Sequence, residues 1–358
     1  MYSIIFLKSF RILLFPLSIL YGLVIFCRNK LFDKKIFHSV SFGLPVICIG
    51  NLSVGGTGKS PMVEFIAQQF QKEYELAILS RGFKRKTKGY CLANENSTAL
   101  DIGDEPKMFL LKFPNITVAV GEERIEAIPQ LLHDRPNTQC ILLDDAFQHR
   151  SISAGLNILL TDYNDLFTRD FFLPTGNLRD AKASSKRAEI IVVTKSPSQL
   201  SEKERRDIIK EISPSVDQQI YFTSTLYAEL YHLSDSSKKS KIDIDTEVLL
   251  VTGIANPKTL KDVMLENSKS YHLMQFPDHH IFTIDDWVDI KKKFEQMDEH
   301  KKIIVTTEKD AIRFLKFGKE LNEIPFYVLP MSHQFLFNEE NVFIENINNF
   351  IKQFNRLV

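Results

Sequence analysis

Val46-Ile47-Cys48-Ile49-Gly50-Asn51-Leu52-Ser53-Val54-Gly55-Gly56-Thr57-Gly58-Lys59-Ser60-Pro61 runs from an apolar segment through a glycine-rich turn into a helical pattern. It reads as a strand, a phosphate-cradling loop and the first turn of a helix, the unit around which P-loop nucleotide-binding folds are built. A triphosphate crowds negative charge onto closely spaced oxygens. It needs backbone N–H groups that approach without a Cβ in the way, and Gly55, Gly56 and Gly58 allow that. Lys59 adds a point charge for the β- and γ-phosphates, and Ser60 offers a hydroxyl to Mg²⁺. Ser53 stands where G-x-x-x-x-G-K-[ST] has its first glycine. The strand before the loop and the helical spacing of Met62, Val63, Phe65, Ile66 and Phe70 after it supply the context the motif requires. The segment Ser53, Val54, Gly55, Gly56, Thr57, Gly58, Lys59 and Ser60 is therefore the candidate nucleotide cradle.

Beyond the loop, strand-like runs alternate with helical patterns, the mark of βαβ units around a parallel sheet. Expected strands are Val46–Gly50, Leu76–Ser80, Thr117–Val120, Cys140–Leu143, Ile158–Thr161 and Ile190–Thr194. Each ends beside a polar residue or glycine, and ligands of open α/β sheets bind beyond the carboxyl ends of the strands. Past Pro197 the character changes, with a charged helix over Ser198 to Lys210 and a polar, loop-like Ser234 to Lys241. Further strands at Val248–Thr252 and Ile303–Thr306 imply a second α/β unit. The expected division is an N-terminal apolar helix over 1–35, a P-loop core over 36–220, a linker over 221–245 and a smaller α/β domain over 246–358. The fold class is α/β, a three-layer α/β/α domain of P-loop NTPase type with a mainly parallel sheet, plus that smaller domain.

Ile141-Leu142-Leu143 ends in Asp144-Asp145, followed by Ala146-Phe147-Gln148-His149. An apolar strand terminating in Asp is the Walker B arrangement, whose carboxylate holds the Mg²⁺ shell opposite the loop's Ser60. Two carboxylates at one strand end repel unless a cation lies beside them. Gly103-Asp104-Glu105-Pro106 precedes a helical stretch, so Asp104 is either a capping residue or a loop carboxylate facing the same cleft. Phe276-Pro277-Asp278-His279-His280 follows a second-unit strand. Without a third ligand at helical spacing it reads as a source of an imidazole partner for a cleft carboxylate or as a turn, more than as a metal site. Val305-Thr306-Thr307-Glu308-Lys309-Asp310 is a strand end running into a charged helix start.

Ile12 to Cys27 is apolar and flanked by Lys8 and Arg11 before, and by Arg28, Lys30, Lys34 and Lys35 after. A spanning helix needs about 20 apolar residues, which this run reaches only by recruiting Ser3 to Leu7 across two charges. No small-x-small cleavage site follows. The segment suits a helix lying in a cytoplasmic membrane interface, where its basic flanks meet anionic headgroups; a buried core helix and a single span are the alternatives. At 358 residues the chain exceeds one usual core. Its 45 basic and 45 acidic residues cancel, which removes the electrostatic case for nucleic acid as partner. Cys27, Cys48, Cys91 and Cys140 form no C-x-x-C pair and suit reduced thiols better than disulfides or zinc.

Taken in order, the P-loop segment, Ser80-Arg81-Gly82, Gly103-Asp104-Glu105-Pro106, Asp144-Asp145-Ala146-Phe147-Gln148-His149, Thr252-Gly253-Ile254-Ala255-Asn256-Pro257, Phe276-Pro277-Asp278-His279-His280 and Thr306-Thr307-Glu308-Lys309-Asp310 resemble the tetraacyldisaccharide 4'-kinase (lipid A 4'-kinase) family over nearly the whole chain. The resemblance implies transfer of the γ-phosphate of ATP, with Mg²⁺, to the 4'-hydroxyl of an acylated glucosamine disaccharide 1-phosphate at the cytoplasmic face of the inner membrane. It implies Asp104 as the group that accepts the hydroxyl's proton, His279 as its support, and Lys59 as the charge on the donor phosphates. Ser60 with Asp144 or Asp145 would hold Mg²⁺, and Arg124, Gln148 and His149 would line the acceptor site. A monomer with no nucleic-acid partner is expected. Ala146 departs from the family's usual glycine and Asp180 from its more usual glutamate, which takes a longer carboxylate away from the region assigned to the metal. The competing reading is a membrane-surface ATPase or GTPase switch with no lipid substrate, although Val54 occupies the place where dimer-coupled ATPases usually carry a lysine.

Overall fold

The computed structural model describes residues 11–254, 257–298 and 300–354. Ser3 to Leu7, Lys8, Ala255 and Asn256, invoked above, lie outside them. The chain lays down β1 (Val46–Asn51), β2 (Leu76–Ser80), β3 (Cys91–Leu92), β4 (Thr117–Val120), β5 (Cys140–Asp144), β6 (Leu156–Asp162), β7 (Ile190–Thr194) and β8 (Gln219–Tyr227). Then come β9 (Leu230–His232), β10 (Asp235–Ser240), β11 (Glu247–Thr252), β12 (Ser270–Gln275), β13 (Lys302–Thr307), β14 (Phe326–Leu329) and finally β15 (Met331–Phe335). They form a nine-stranded sheet of order β15-β8-β7-β6-β1-β5-β2-β4-β3 and a six-stranded sheet of order β10-β9-β14-β13-β11-β12. Within the large sheet only the two edge strands, β3 and β15, pair antiparallel.

The P-loop strand sits mid-sheet between β5 and β6 because its side chains are apolar on both faces. Ile47 and Ile49 pack with Met62, Val63 and Ile66 of helix Lys59–Phe70 and with Phe343, Ile347 and Ile351 of the C-terminal helix Glu340–Phe354. Val46 and Cys48 face the opposite layer, with Ala127, Ile128 and Leu131 of helix Arg124–Asp134 and Ile208 and Ile212 of helix Glu202–Ile212. Each buried Ile or Leu contributes about 1.5–3 kcal/mol, so burial on both faces fixes the layer order. The small sheet is likewise covered twice, by Trp287, Ile290 and Phe314 on one side and Leu260 and Met264 on the other.

Two sequence expectations change. Ser234 to Lys241 holds a strand, β10, pairing antiparallel with β9 at the sheet edge. Its polar side chains are mostly exposed, so backbone pairing rather than an apolar pattern makes it a strand. Residues 331–354, expected in the smaller C-terminal domain, return to the large sheet: β15 pairs with β8, and Phe343, Ile347 and Ile351 join its core. The small lobe is thus an excursion between β8 and β15. Helix Glu308–Phe314 at its edge packs on helix Asp104–Lys112 of the large lobe. Lys112 ties the lobes together through ion pairs with Glu64 of the loop helix and with Glu308 at 2.8 Å.

Helix Phe15–Asp33 docks on the large lobe by one side. Ser18 bonds Thr175 at 2.8 Å, Gly22 lies under Phe172, and the buried amide of Asn29 donates to Asp180 at 2.8 Å. Its other side leaves Leu17, Ile19, Leu20, Leu23, Val24 and Phe26 exposed. It is one helix long and apolar enough to cross a membrane by length and composition.

Gly50 closes β1 directly under Phe147, where an added Cβ would lie 2.6 Å from that side chain's Cβ and 3.1 Å from its backbone nitrogen. Gly50→Ala should therefore cost about 1–3 kcal/mol in denaturant unfolding and displace the turn after the acid pair.

Candidate functional site

The loop is pinned by its carbonyls. Lys195 Nζ donates to the Gly56 carbonyl at 2.5 Å, Thr194 Oγ1 to that of Thr57 at 3.0 Å, and His333 Nε2 to that of Gly58 at 2.9 Å. Asn51 Nδ2 bonds the Thr57 hydroxyl at 2.8 Å from below. With one side of the backbone engaged in this way, the amide side is left for an anion, at the positive end of helix Lys59–Phe70. Gly58 caps that helix at φ +82°, with the His333 ring over its α-carbon, whereas a Cβ on Gly55 or Gly56 would meet nothing within 4 Å. Room beside the loop exists where a polyphosphate needs it. The limb before it is braced by Leu178, which bridges Ser53, and by the Val54 N–H donating to Asn177.

β5 delivers the acid pair beside this loop. Asp144 is 1% exposed; its Oδ2 accepts from Ser80 at 3.0 Å, and its Oδ1 is buried with no protein partner. Burial raises its pKa above the ordinary carboxylate range, helped by Glu105 and Asp145. Asp145 is held in the left-handed region at φ +49°, a conformation that persists only where the surroundings over-determine it. Burial would raise its pKa too, but Lys59 at 3.8 Å and a two-pronged contact from Arg179 hold it at about 2. One carboxylate is thus neutralised by protein, and its neighbour offers an orphan oxygen. That pairing fits a divalent cation. Among the described residues no three His, Cys, Asp or Glu side chains converge into a protein-only metal cage.

A second cluster lies at the lobe junction. Asp104 opens helix Asp104–Lys112, and its Oδ2 receives His279 Nδ1 at 3.2 Å and Arg313 Nη2 at 2.6 Å. Burial raises its pKa, but these donors and the Arg313 charge win and hold it at about 2. Phe83, Glu105, Pro106 and His279 form with it a small cleft, and the Phe83 ring stands edge-on to His279 at 5.1 Å. His279 itself sits at φ +62°.

The remaining expected residues divide. Gln148 donates to the Asn51 carbonyl at 2.7 Å and takes Arg28 of the N-terminal helix on its own carbonyl at 2.9 Å. His149 is half-buried near Arg124 and Arg81, and burial with those charges lowers its pKa to about 4, so its ring is neutral. Arg124, expected to line the site, is wholly buried; it donates to the Gly121 carbonyl at 2.6 Å and to the Asp144 carbonyl at 3.2 Å, behind the acid pair rather than in the cleft. Its length lets it reach back under β5, which no local pattern reveals. Asp180 accepts from Asn29, Ser184 and Arg187, so the shorter acid anchors the N-terminal helix. Sequence reading missed Arg179, Lys195, His333, Lys309 and Arg313 as site residues. Lys195 follows a strand end and Lys309 lies in the charged strand end Val305 to Asp310, so both were open to the strand-end rule; Arg179, His333 and Arg313 carry no local signal.

The chain matches the family model described as tetraacyldisaccharide-1-P 4'-kinase over residues 10–352. It is 44% identical to the tetraacyldisaccharide 4'-kinase of Flavobacterium johnsoniae over 96% of this chain and 98% of the relative. It is 42% identical to that of Bacteroides thetaiotaomicron over 95% and 93%. A crystal structure of LpxK from Aquifex aeolicus in complex with ATP superposes with a TM-score of 0.73, at 27% identity, covering 96% of this chain and 99% of that one.

Two outcomes follow from this geometry. Asp144→Asn relieves buried like-charge repulsion and should stabilise the ligand-free protein by about 1 kcal/mol in thermal unfolding while lowering turnover, a stability–activity trade-off. His333 is depressed to about 4 by burial. The unfolded ring binds protons below about 6.5 and the folded one does not, so this contribution is whole above that pH and is lost as pH falls toward 4. His333→Gln should therefore flatten the pH dependence of stability between about pH 6.5 and 5 by on the order of 1–2 kcal/mol.

Proposed function

The chain belongs to the tetraacyldisaccharide 4'-kinase family, and from that premise we propose how its residues carry out the family's reaction, ATP-dependent phosphorylation of the 4'-hydroxyl of an acylated glucosamine disaccharide 1-phosphate. The observation that carries the reading is the pair of clusters described above. A pinned glycine loop with Lys59 beside a half-neutralised acid pair serves the donor, and an ionised Asp104 beside His279 serves the acceptor.

Within the loop Ser53 to Ser60, the amides of Gly55, Gly56, Gly58, Lys59 and Ser60 receive the donor phosphates, with Lys59 as their point charge, while Ser53 and Val54 brace the limb before them. Ser60 and the unpartnered oxygen of Asp144, with Asp145 fixed beside them by Arg179, would hold Mg²⁺. Mg²⁺, when bound, screens the charge that gathers on the transferring group. A pair of protein carboxylates would suffice for such a cation, which is usually held by one or two carboxylates together with substrate phosphates. Asp104 orients the acceptor hydroxyl. Its basicity is low, and a loose phosphoryl-transfer transition state asks for no stronger base, since the hydroxyl proton leaves late. His279 donates to Asp104 and holds its carboxylate toward the cleft. Arg124 supports the acid pair from behind, the Gln148 amide braces the Asn51 carbonyl below the loop, and the neutral ring of His149 is the group offered to the acceptor.

The acceptor's acyl chains keep it in a bilayer, at about 0.8 kcal/mol for each CH₂ withdrawn. The exposed Leu20, Leu23 and Val24 face of helix Phe15–Asp33 supports the view that this helix brings the site to the cytoplasmic surface of the inner membrane. The two sheets then act as two domains around one cleft.

Lys59→Ala and Asp104→Ala should each lower turnover about 10²-fold or more in mixed micelles of acceptor lipid, Mg²⁺ and labelled ATP. Rapid ATP hydrolysis without the lipid would contradict the kinase mechanism. Leu20→Glu with Val24→Glu should move the protein from the membrane to the soluble fraction with its melting curve intact, since neither side chain is buried; continued pelleting assigns membrane binding to another surface.

A further inference from the structure

Helix Glu308–Phe314 belongs to the small lobe, yet two of its side chains end on the Asp104–His279 pair of the junction. Arg313 is 7% exposed. One end of its guanidinium donates to Asp310 Oδ1 at 3.0 Å and the other to Asp104 Oδ2 at 2.6 Å, closer than His279 comes. Asp310 is wholly buried and cannot swing, because it also accepts from Thr252 Oγ1 at 3.1 Å, the Gly253 N–H at 2.9 Å and Thr307 Oγ1 at 2.9 Å. Arg313 is therefore a rigid fork mounted on the small lobe, and its free prong reaches the large lobe's carboxylate.

Four residues earlier on the same helix, Lys309 Nζ lies 3.2 Å from His279 Nε2. An ammonium only donates, so Nε2 must accept and the imidazole proton must sit on Nδ1. That is the tautomer that donates to Asp104. Arg313 Nη2 is also 3.2 Å from Nδ1; both are donors, so they share Asp104 Oδ2 instead of bonding each other. The acids facing Lys309, Glu105 at 3.8 Å and Asp278 at 3.9 Å, are looser contacts that keep the ammonium in place.

We propose that Arg313 and Lys309 are positioning residues for the phosphoryl acceptor: Arg313 fixes the Asp104 carboxylate, Lys309 fixes the tautomer of His279, and the small lobe thereby sets the geometry of a site whose nucleophile-orienting group belongs to the large lobe. This rests on the role given to Asp104 above. Neither residue reaches the loop, so the donor's affinity is outside their control.

The test is steady-state kinetics of the full chain in mixed micelles carrying the acceptor lipid, with a melting curve for each variant. Arg313→Met should lower kcat about tenfold or more and leave KM for ATP within about twofold. Arg313→Lys should recover part of that loss by restoring the charge without the fork. Lys309→Met, at a partly exposed position, should lower kcat about threefold or more with the melting curve unchanged. In an Asp104→Asn background, Arg313→Met should cost nothing further, as expected for groups acting as a unit. A wild-type kcat for Arg313→Met, a raised KM for ATP at constant kcat, or losses that multiply in the double variant would overturn the proposal. If Arg313→Met fails to fold, Lys309→Met and Arg313→Lys decide, and wild-type kcat in both overturns it. Full activity of Asp104→Asn would sink the Asp104 mechanism itself, whereas an inactive Asp104→Asn beside an unaffected Arg313→Met removes only the role of Arg313.

Discussion

Carboxylates crowded against one another and against a site for polyphosphate are the constraint around which this molecule is arranged. Asp144, Asp145, Glu105 and Asp104 all lie near the carboxyl end of the large sheet, and Asp144 is wholly buried. Desolvation and mutual repulsion oppose that arrangement. It stands because cations arrive from four separate parts of the chain: Lys59 from the loop helix, Arg179 from the segment after β6, Arg124 from helix Arg124–Asp134, and Arg313 from the small lobe. Of these four acids, Asp144 is the one with a buried oxygen that has no hydrogen-bond partner among the described residues. The residual negative charge is concentrated where a cation would be wanted.

The chain's return to the large sheet makes the two lobes interdependent. After β14 it re-enters through β15, and His333 on that strand grips the carbonyl of Gly58 while its other nitrogen meets Thr223 at 3.0 Å. The small lobe is therefore followed in the chain by the strand that grips the glycine loop, and it is tied through Arg313 and His279 to Asp104. Lys112 adds an ionic contact between Glu64 and Glu308. A motion of the small lobe relative to the large one would change the acceptor cluster first, because that cluster is split across the junction, whereas the loop's carbonyl anchors, Thr194, Lys195 and His333, all lie in or directly after strands of the large sheet.

Strain marks the same places. Asp145, Lys195 and His279 are non-glycine residues with positive φ, and each immediately follows a strand or its turn at the cleft. Lys195 is turned back to hold Gly56 and Asp162, at 2.5 Å and 2.8 Å. Such conformations cost of order 1–3 kcal/mol each and are sustained by the ion pairs and backbone bonds around them.

The local chemistry was legible in the chain. The apolar runs at Val46–Gly50, Leu76–Ser80, Thr117–Val120, Cys140–Leu143, Ile158–Thr161 and Ile190–Thr194 became the parallel strands, because continuous β-branched and aliphatic residues bury a strand on both faces. The glycine loop and the acid pair were equally visible, since each depends on neighbours in sequence, whereas Asp104 read locally as either a helix cap or a cleft carboxylate. What depended on distance was not. β10 is held by pairing alone, residues 331–354 cross back to the first sheet, Arg124 retreats behind β5, Arg313 reaches Asp104 across 209 positions of chain, and Lys309 reaches His279 from another element. By itself the sequence determined the phosphate loop, the strand-end acids and an apolar N-terminal helix, through spacing and side-chain type. The tertiary structure decided which acids are neutralised and which oxygen is left free, because ionisation in a protein interior is set by the charges and burial that the fold brings together from every part of the chain.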